Sequence, residues 1–503
     1  MASWKAKFSF ITRRGRTGNM AQRGDGSRLP WRKGADWCFF QVVHERRWMW
    51  RRLLLSMNFS INRRFVLMAL AGASLAGFCV PMFAKAEAAF VVAGDWKVEV
   101  RTMTVNGLIE VEPVTEVSVV DEMHAGIPVF APDSAGWAKG LRLLQVRAQE
   151  TTTPGIFAPG SVVVKSAKLG DQPSKTFQRG TDFEIDEVWG TIGRLEGGAI
   201  EAKQPLLISY RYHPLRLDAV VADATGKLKV LKGTPLAAAP LAPEPGEGET
   251  LLGRIWLPGK VEKLTQANLF PLLEKAYPEP VGLSANTEKN LPKTLAKLRS
   301  GELVKILAWG DSVTASNYLP NREQDAWQHQ FVKRLKEKYP KANIELVTEA
   351  WGGKNTAAYL AEPPGAEHNY AEKVLALKPD LVVSEFVNDA RLLRKHVNER
   401  YGRLLADFQG IGAEWIILTP HYTYTEWMGF SSEREVDEDP REYVTALREF
   451  GEVNRVVIAD GAARYGRLWR QGMPYSALML NSLNHPDARG MKIFADALMA
   501  VFP

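Results

Sequence analysis

Ile306-Leu307-Ala308-Trp309-Gly310-Asp311-Ser312-Val313-Thr314-Ala315-Ser316 is an apolar run closed by a tight Gly-Asp-Ser turn, with a polar segment leading on towards a helix. A short apolar run bounded by a turn reads as a buried strand. In an open α/β sheet the end of such a strand is where ligands bind. A serine there has its hydroxyl exposed beside free backbone N–H groups. Gly-Asp-Ser alone is common as a plain turn. It gains weight from Gly352-Gly353, Asn388-Asp389 and His485-Pro486, which follow at ordered distances.

Outward from this stretch, strand and helix patterns alternate. Strands are predicted at 303–309, 344–348, 381–386, 415–418 and 455–459. Helices are predicted at 324–339, 371–377, 391–408, 441–450 and 488–501. The first helix carries Trp327, Phe331 and Leu335 on one stripe at four-residue spacing. Five strands alternating with helices imply a parallel three-layer α/β/α sheet over 301–503.

Upstream the period changes to two. Trp96-Lys97-Val98-Glu99-Val100-Arg101 alternates apolar and charged residues, and Leu206, Ile208, Tyr210 and Tyr212 share one face. Short strands with Gly and Pro punctuation, as before Ser161-Val162-Val163-Val164, suggest an all-β, sandwich-like module over 87–258. Within it, 236–249 (LAAAPLAPEPGEGE) reads as a linker or long loop. Residues 259–300 read as a connecting segment.

The formal charge of +7 is unevenly placed. Residues 1–56 carry +10 and residues 57–86 carry +3, leaving −6 on the rest. The body is mildly acidic and has no nucleic-acid footprint. Residues 1–56 lack periodicity and read as an over-extended start, with translation beginning at Met57. Residues 57–86 have the parts of an export signal: Arg63-Arg64, an apolar stretch over 65–80, and Ala84-Lys85-Ala86 for cleavage. Asn62-Arg63-Arg64-Phe65-Val66-Leu67 also resembles a twin-arginine signal. About 16 apolar residues are short of the roughly 20 that a membrane span needs. The expectation is a periplasmic or secreted protein starting near Glu87, without a stable membrane span. Both cysteines, Cys38 and Cys79, precede that point, so the body has no disulfide and no thiolate metal site.

Nucleophilic ester cleavage needs an exposed hydroxyl, a base, and donors for the developing oxyanion. Ser312 supplies the hydroxyl. Gly352-Gly353 lets a backbone N–H approach a substrate closely. Asn388 has a side-chain amide to donate, and His485, before the last helix, is the base. All four fall at carboxyl ends of strands or in the final loop, on one edge of the sheet. Taken singly, each has a plain structural reading: Ser312 or Asn388-Asp389 as a helix cap, Gly-Gly as a loop, His-Pro as a turn. His421, after the fourth strand, points at the same edge as a candidate for substrate contact or a buried histidine. No HExxH or His/Asp cluster implies a metal, and the Gly-Asp-Ser turn lacks a P-loop lysine, so no cofactor is expected.

Gly310-Asp311-Ser312, Gly353, Asn388-Asp389 and His485-Pro486 resemble the motif blocks of the SGNH (GDSL) hydrolase superfamily, in the family's order, over about two-fifths of the chain. The resemblance implies a flavodoxin-like fold. It implies Ser312 as nucleophile and His485 as base. The Ser312 N–H, the Gly353 N–H and the Asn388 amide would form the oxyanion hole, with Asp311 and Asp389 supporting. Two departures stand out. Phe386 replaces the glycine usually found two residues before the asparagine. Ser482 stands where the family has the aspartate three residues before the histidine. A backbone carbonyl or Asp487 is left to orient His485. The activity implied is cleavage of O-acyl, in particular O-acetyl, esters on a carbohydrate or cell-envelope polymer or of small esters. The alternatives are a lipase or thioesterase of the same fold, or a non-catalytic glycan-binding envelope protein.

Overall fold

A computed structural model describes residues 88–167 and 174–503. The extended start 1–56, the export signal 57–86 and both cysteines lie outside the described residues. Five parallel strands form the C-terminal sheet in the order Asn343–Ala350, Leu303–Gly310, Leu381–Glu385, Glu414–Leu418, Val457–Ala459. In sequence terms this is 2-1-3-4-5, the flavodoxin-like order, so the winding reverses between the first and third strands. Gly310 pairs with Ala350 on one side and Glu385 on the other. Three strands therefore end level, and the loops that follow them share one edge.

The composition of the strands explains their place. Leu381–Glu385 is buried at every position, as a strand covered on both faces must be. Helix Trp327–Lys338 buries Trp327, Phe331 and Leu335 and packs against helix Ala488–Val501. The helix expected over 324–339 is broken: Arg322–Asp325 ends where Ala326 turns extended (ψ 141°), and Trp327–Lys338 begins afresh. The one expected over 371–377 is only Tyr370–Lys373 followed by a 3-10 turn at Leu375–Leu377. Helix Glu442–Asn454 outruns its expected end and stops at Arg455, whose φ of 59° forbids another turn, so the fifth strand starts at Val457.

The N-terminal part is rich in antiparallel sheets. Ala88–Gly94, Lys97–Thr102 and Asn106–Glu110 form a meander. Leu206–Tyr212 lies between Val117–His124 and Val163–Ser166, burying Leu206, Ile208, Tyr210 and Tyr212 on one face. Thr191–Arg194 lies between Leu141–Arg142 and Phe183–Asp186. Leu228–Leu231, Leu215–Ala222, Thr250–Pro258 and Leu269–Pro271 complete the set. Segment 236–249 joins two strands of this last sheet, so it is a loop within one sheet. The segment 259–300 does more than connect. Leu269–Pro271 extends an antiparallel sheet, while helices Leu283–Asn290 and Pro292–Ser300 pack on the last helix and the first parallel strand. The two parts share one apolar core in which Phe157, Tyr210, Trp256 and Phe270 join Leu298, Phe331 and Phe494. The β-rich part is thus packed on the parallel-sheet domain. Among the described residues, no helix is long and apolar enough to cross a membrane.

Candidate active site

Ser312 opens a one-turn helix, Ser312–Ala315, directly after the first parallel strand. Asp311 is its N-cap: Oδ1 accepts from Val313 N at 3.1 Å, satisfying a donor that the helix start leaves orphaned. The other carboxylate oxygen accepts from both Asn388 N (2.9 Å) and Asn388 Nδ2 (3.0 Å). Asp311 therefore ties the serine turn to the turn after the third strand. Among the described residues, one amide hydrogen of Asn388 is left uncommitted. Asp389 makes the next tie. It accepts from Thr356 Oγ1 (2.7 Å), which follows the glycine loop, and from Arg400 Nη1 and Tyr401 Oη, each at 3.1 Å.

Gly352 and Gly353 both lie exposed after the second strand. Gly353 has φ of +72°, a conformation that favours glycine, while a Cβ on Gly352 would stand 3.8 Å from that of Ser312. The backbone N–H groups of Ser312, Gly352 and Gly353 donate to no protein group among the described residues. Three orphan donors and a free amide hydrogen thus belong to the loops around one hydroxyl.

His485 Nε2 is 3.0 Å from Ser312 Oγ. The loop that delivers it is organised by Asn481, whose Oδ1 accepts from the backbone N–H of Leu483, Asn484 and His485. Tyr318 lies flat on the imidazole, with ring centroids 4.2 Å apart and planes 4° from parallel. On the far side of the ring, Nδ1 is 2.6 Å from Glu150 Oε2, a residue of the β-rich part. The distance is that of a charge-assisted hydrogen bond. The carboxylate is nonetheless poorly aligned for it, and Nδ1 has no aligned acceptor among the described residues. The contact is a close approach of the half-exposed Glu150 carboxylate to the ring nitrogen, short of an aligned hydrogen bond. Neither acceptor expected from the sequence orients His485: Asp487 caps the last helix through Arg489 N and Gly490 N and pairs with Arg489, and no backbone carbonyl is bonded to Nδ1. Ser482 faces Thr153 instead, Oγ to Oγ1 at 2.6 Å.

His421 is fully buried, and its Nε2 is 2.8 Å from the Asn484 carbonyl oxygen. Burial pushes it down to about 3, so it stays neutral and braces the loop before His485. Beneath the serine, burial raises Asp311, against the pull of its bonds from Asn388 and Val313. Burial likewise holds Glu385 well above the usual carboxylate range, with Asp311 nearby adding to the effect. Burial thus disfavours negative charge on both carboxyls. Glu150 moves the other way: its contact with His485 holds its carboxyl below the ordinary range. Glu150 and Tyr318 carried no signal in the sequence. Serine at 482 indicated a missing carboxylate but not its source.

Residues 308–493 match the model of the GDSL-like lipase/acylhydrolase family. No curated protein matches the chain. Similar solved structures include a two-domain esterase (CEX) active on acetylated mannans, 16% identical with a TM-score of 0.34 over 42% of this chain. The chain covers 52% of that protein, about half its length. Another is a catalytic mutant of Axe2, an acetylxylan esterase from Geobacillus stearothermophilus, 19% identical with a TM-score of 0.31 over 39% of this chain and 92% of that one. The matched stretch lies within the parallel-sheet domain, which is thus similar to the GDSL-like lipase/acylhydrolase family.

Proposed function

We propose that the protein is a serine ester hydrolase that removes O-acyl groups, in particular O-acetyl groups, from a carbohydrate or envelope polymer. The observation that carries the reading is the 3.0 Å contact between His485 Nε2 and Ser312 Oγ at the switch point of the sheet. His485 takes the hydroxyl proton as Oγ bonds to the ester carbonyl carbon. The negative charge that develops on the carbonyl oxygen is met by the N–H groups of Ser312 and Gly353 and the uncommitted N–H of Asn388. Collapse breaks the ester C–O bond, and the imidazolium returns its proton to the departing alkoxide. Water, activated by the same histidine, then releases the acid from the acyl-enzyme.

The surroundings favour a short acyl group on a bulky alcohol. Gly352 and Gly353 are exposed and Ser312 and Asn388 partly so, which gives an open site. A cleft of about 850 Å³ lies elsewhere, lined by Tyr277, Arg448 and Arg464. Trp137, Trp189, Tyr424 and Trp427 form an aromatic group shared by the two parts of the chain, with successive centroids 5.0–6.4 Å apart and Trp427 52% exposed. Flat rings of this kind suit the apolar faces of sugars. Residues 57–86 are read as an export signal, so the expected location is the periplasm or the exterior.

Hydrolysis of a short-chain aryl acetate, beside Ser312→Ala, tests the reading. The variant is expected to lose at least about 10³-fold in kcat. Equal turnover by both proteins would remove Ser312 as nucleophile. A marked preference for long acyl chains would turn the reading to a lipase, and polysaccharide binding without turnover to a glycan-binding protein.

A further inference from the structure

The β-rich part reaches the histidine loop through one short segment. Gln149 N donates to Leu480 O at 3.0 Å, Thr151 Oγ1 to Asn481 O at 2.6 Å, and Thr153 Oγ1 meets Ser482 Oγ at 2.6 Å. Arg147 bridges Thr152, and Ala148 N donates to Thr151 O, so Gln149 and Glu150 form the tip of a tight hairpin. Glu150 has φ of +65°, a left-handed conformation that costs a side-chain-bearing residue about 1–2 kcal/mol. Gly or Asn would sit there more easily. Strain of this kind is kept where the surroundings demand a particular side chain. What this position supplies is a carboxylate 2.6 Å from His485 Nδ1.

Resting on the esterase reading above, we infer that Glu150 is the positioning residue that stands in for the family's aspartate, so that the catalytic relay is completed across two parts of the chain. The carboxylate accepts from Nδ1–H, which leaves Nε2 unprotonated and facing Ser312. It stabilises the imidazolium formed when Nε2 takes the serine proton, and it keeps its own charge throughout. Tyr318, stacked on the ring, holds the plane in which this exchange works. Position 482 is then free to serve as the dock. Its hydroxyl binds Thr153 and so fixes the hairpin that carries Glu150. The β-rich part is thereby a component of the active site.

The test is steady-state kinetics of the full chain on an aryl acetate, comparing wild type, Glu150→Gln, Glu150→Ala and Ser312→Ala, with melting temperatures for each. Glu150→Gln is expected to lower kcat on the order of 10²–10⁴-fold, with KM within about twofold. Melting temperature should hold, because the side chain is half exposed. Loss of the neighbouring negative charge should also move the acid limb of the kcat/KM profile to lower pH, and formate should restore part of the activity of Glu150→Ala. A Glu150→Gln enzyme within twofold of wild-type kcat overturns the inference and leaves the esterase reading intact. So does a loss that merely follows a drop in melting temperature, with an unmoved acid limb and no formate rescue. A wild type as inert as Ser312→Ala on every ester defeats the esterase reading itself, and this inference with it.

Discussion

Gly310→Ala probes the strand end on which the site is built. An ideal Cβ at Gly310 would lie 2.1 Å from Thr314 Oγ1 and 2.4 Å from the Glu385 carbonyl oxygen. The threonine hydroxyl can rotate away, but its Cβ, 2.7 Å off, cannot. The carbonyl belongs to the strand paired with Gly310 and can yield only if the two strands part. Comfortable contact lies near 3.5 Å, so the strands must separate locally by roughly 1 Å. Overpacking of this kind costs about 1–3 kcal/mol. At about 2–4 °C per kcal/mol for a domain of this size, the melting temperature should fall by roughly 2–12 °C. The shift is delivered two residues from Ser312 and at the Asp311–Asn388 tie. A 3.0 Å serine–histidine contact lengthened by that amount is no longer a hydrogen bond, and a displacement of 1 Å costs on the order of 10²-fold in kcat. Calorimetry and aryl acetate kinetics read both effects. Adding Thr314→Ala removes the hydroxyl contact but neither the Cβ at 2.7 Å nor the carbonyl, so the double variant should recover little. Wild-type stability and turnover in Gly310→Ala, or full recovery in the double variant, would refute the reasoning.

Three further outcomes follow from the same geometry. Asn388→Ala removes a side-chain donor beside the serine and should lower kcat by about 10²–10³-fold with KM nearly unchanged; an unaltered kcat would exclude the amide from oxyanion binding. Glu385, raised well above the ordinary 4.5 by burial, holds a proton in the folded state that the unfolded chain releases. Its contribution to stability therefore declines as pH rises from the unfolded value towards the folded one. Glu385→Gln is neutral throughout, so its melting temperature should gain on wild type as pH rises above the ordinary glutamate value; parallel curves would contradict the assignment. Thr153→Val leaves the Ser482 hydroxyl and the Ala237 carbonyl without Thr153 Oγ1. It should cost roughly 1–3 kcal/mol and lower kcat by loosening the hairpin that carries Glu150; an unchanged melting temperature and kcat would show that the dock is not needed.

The parallel-sheet fold was legible in the chain because its signals are local. An apolar strand, a turn and an amphipathic helix each declare themselves within about a dozen residues, and repeating them fixes a parallel sheet whose carboxyl ends share an edge. Ser312, Gly352-Gly353 and Asn388 lie just past three such ends, so their neighbourhood followed from strand order alone. Helix breaks such as the one at Ala326, and the division of residues 259–300 between the two parts, were less legible because tertiary packing overrides local preference there. The partner of His485 Nδ1 was beyond any local reading. Glu150 sits 335 positions earlier, on a hairpin whose own sequence has no catalytic pattern. Its role depends on a shared core, three docking bonds and a left-handed backbone angle, and each of these exists only once the two parts of the chain are packed together.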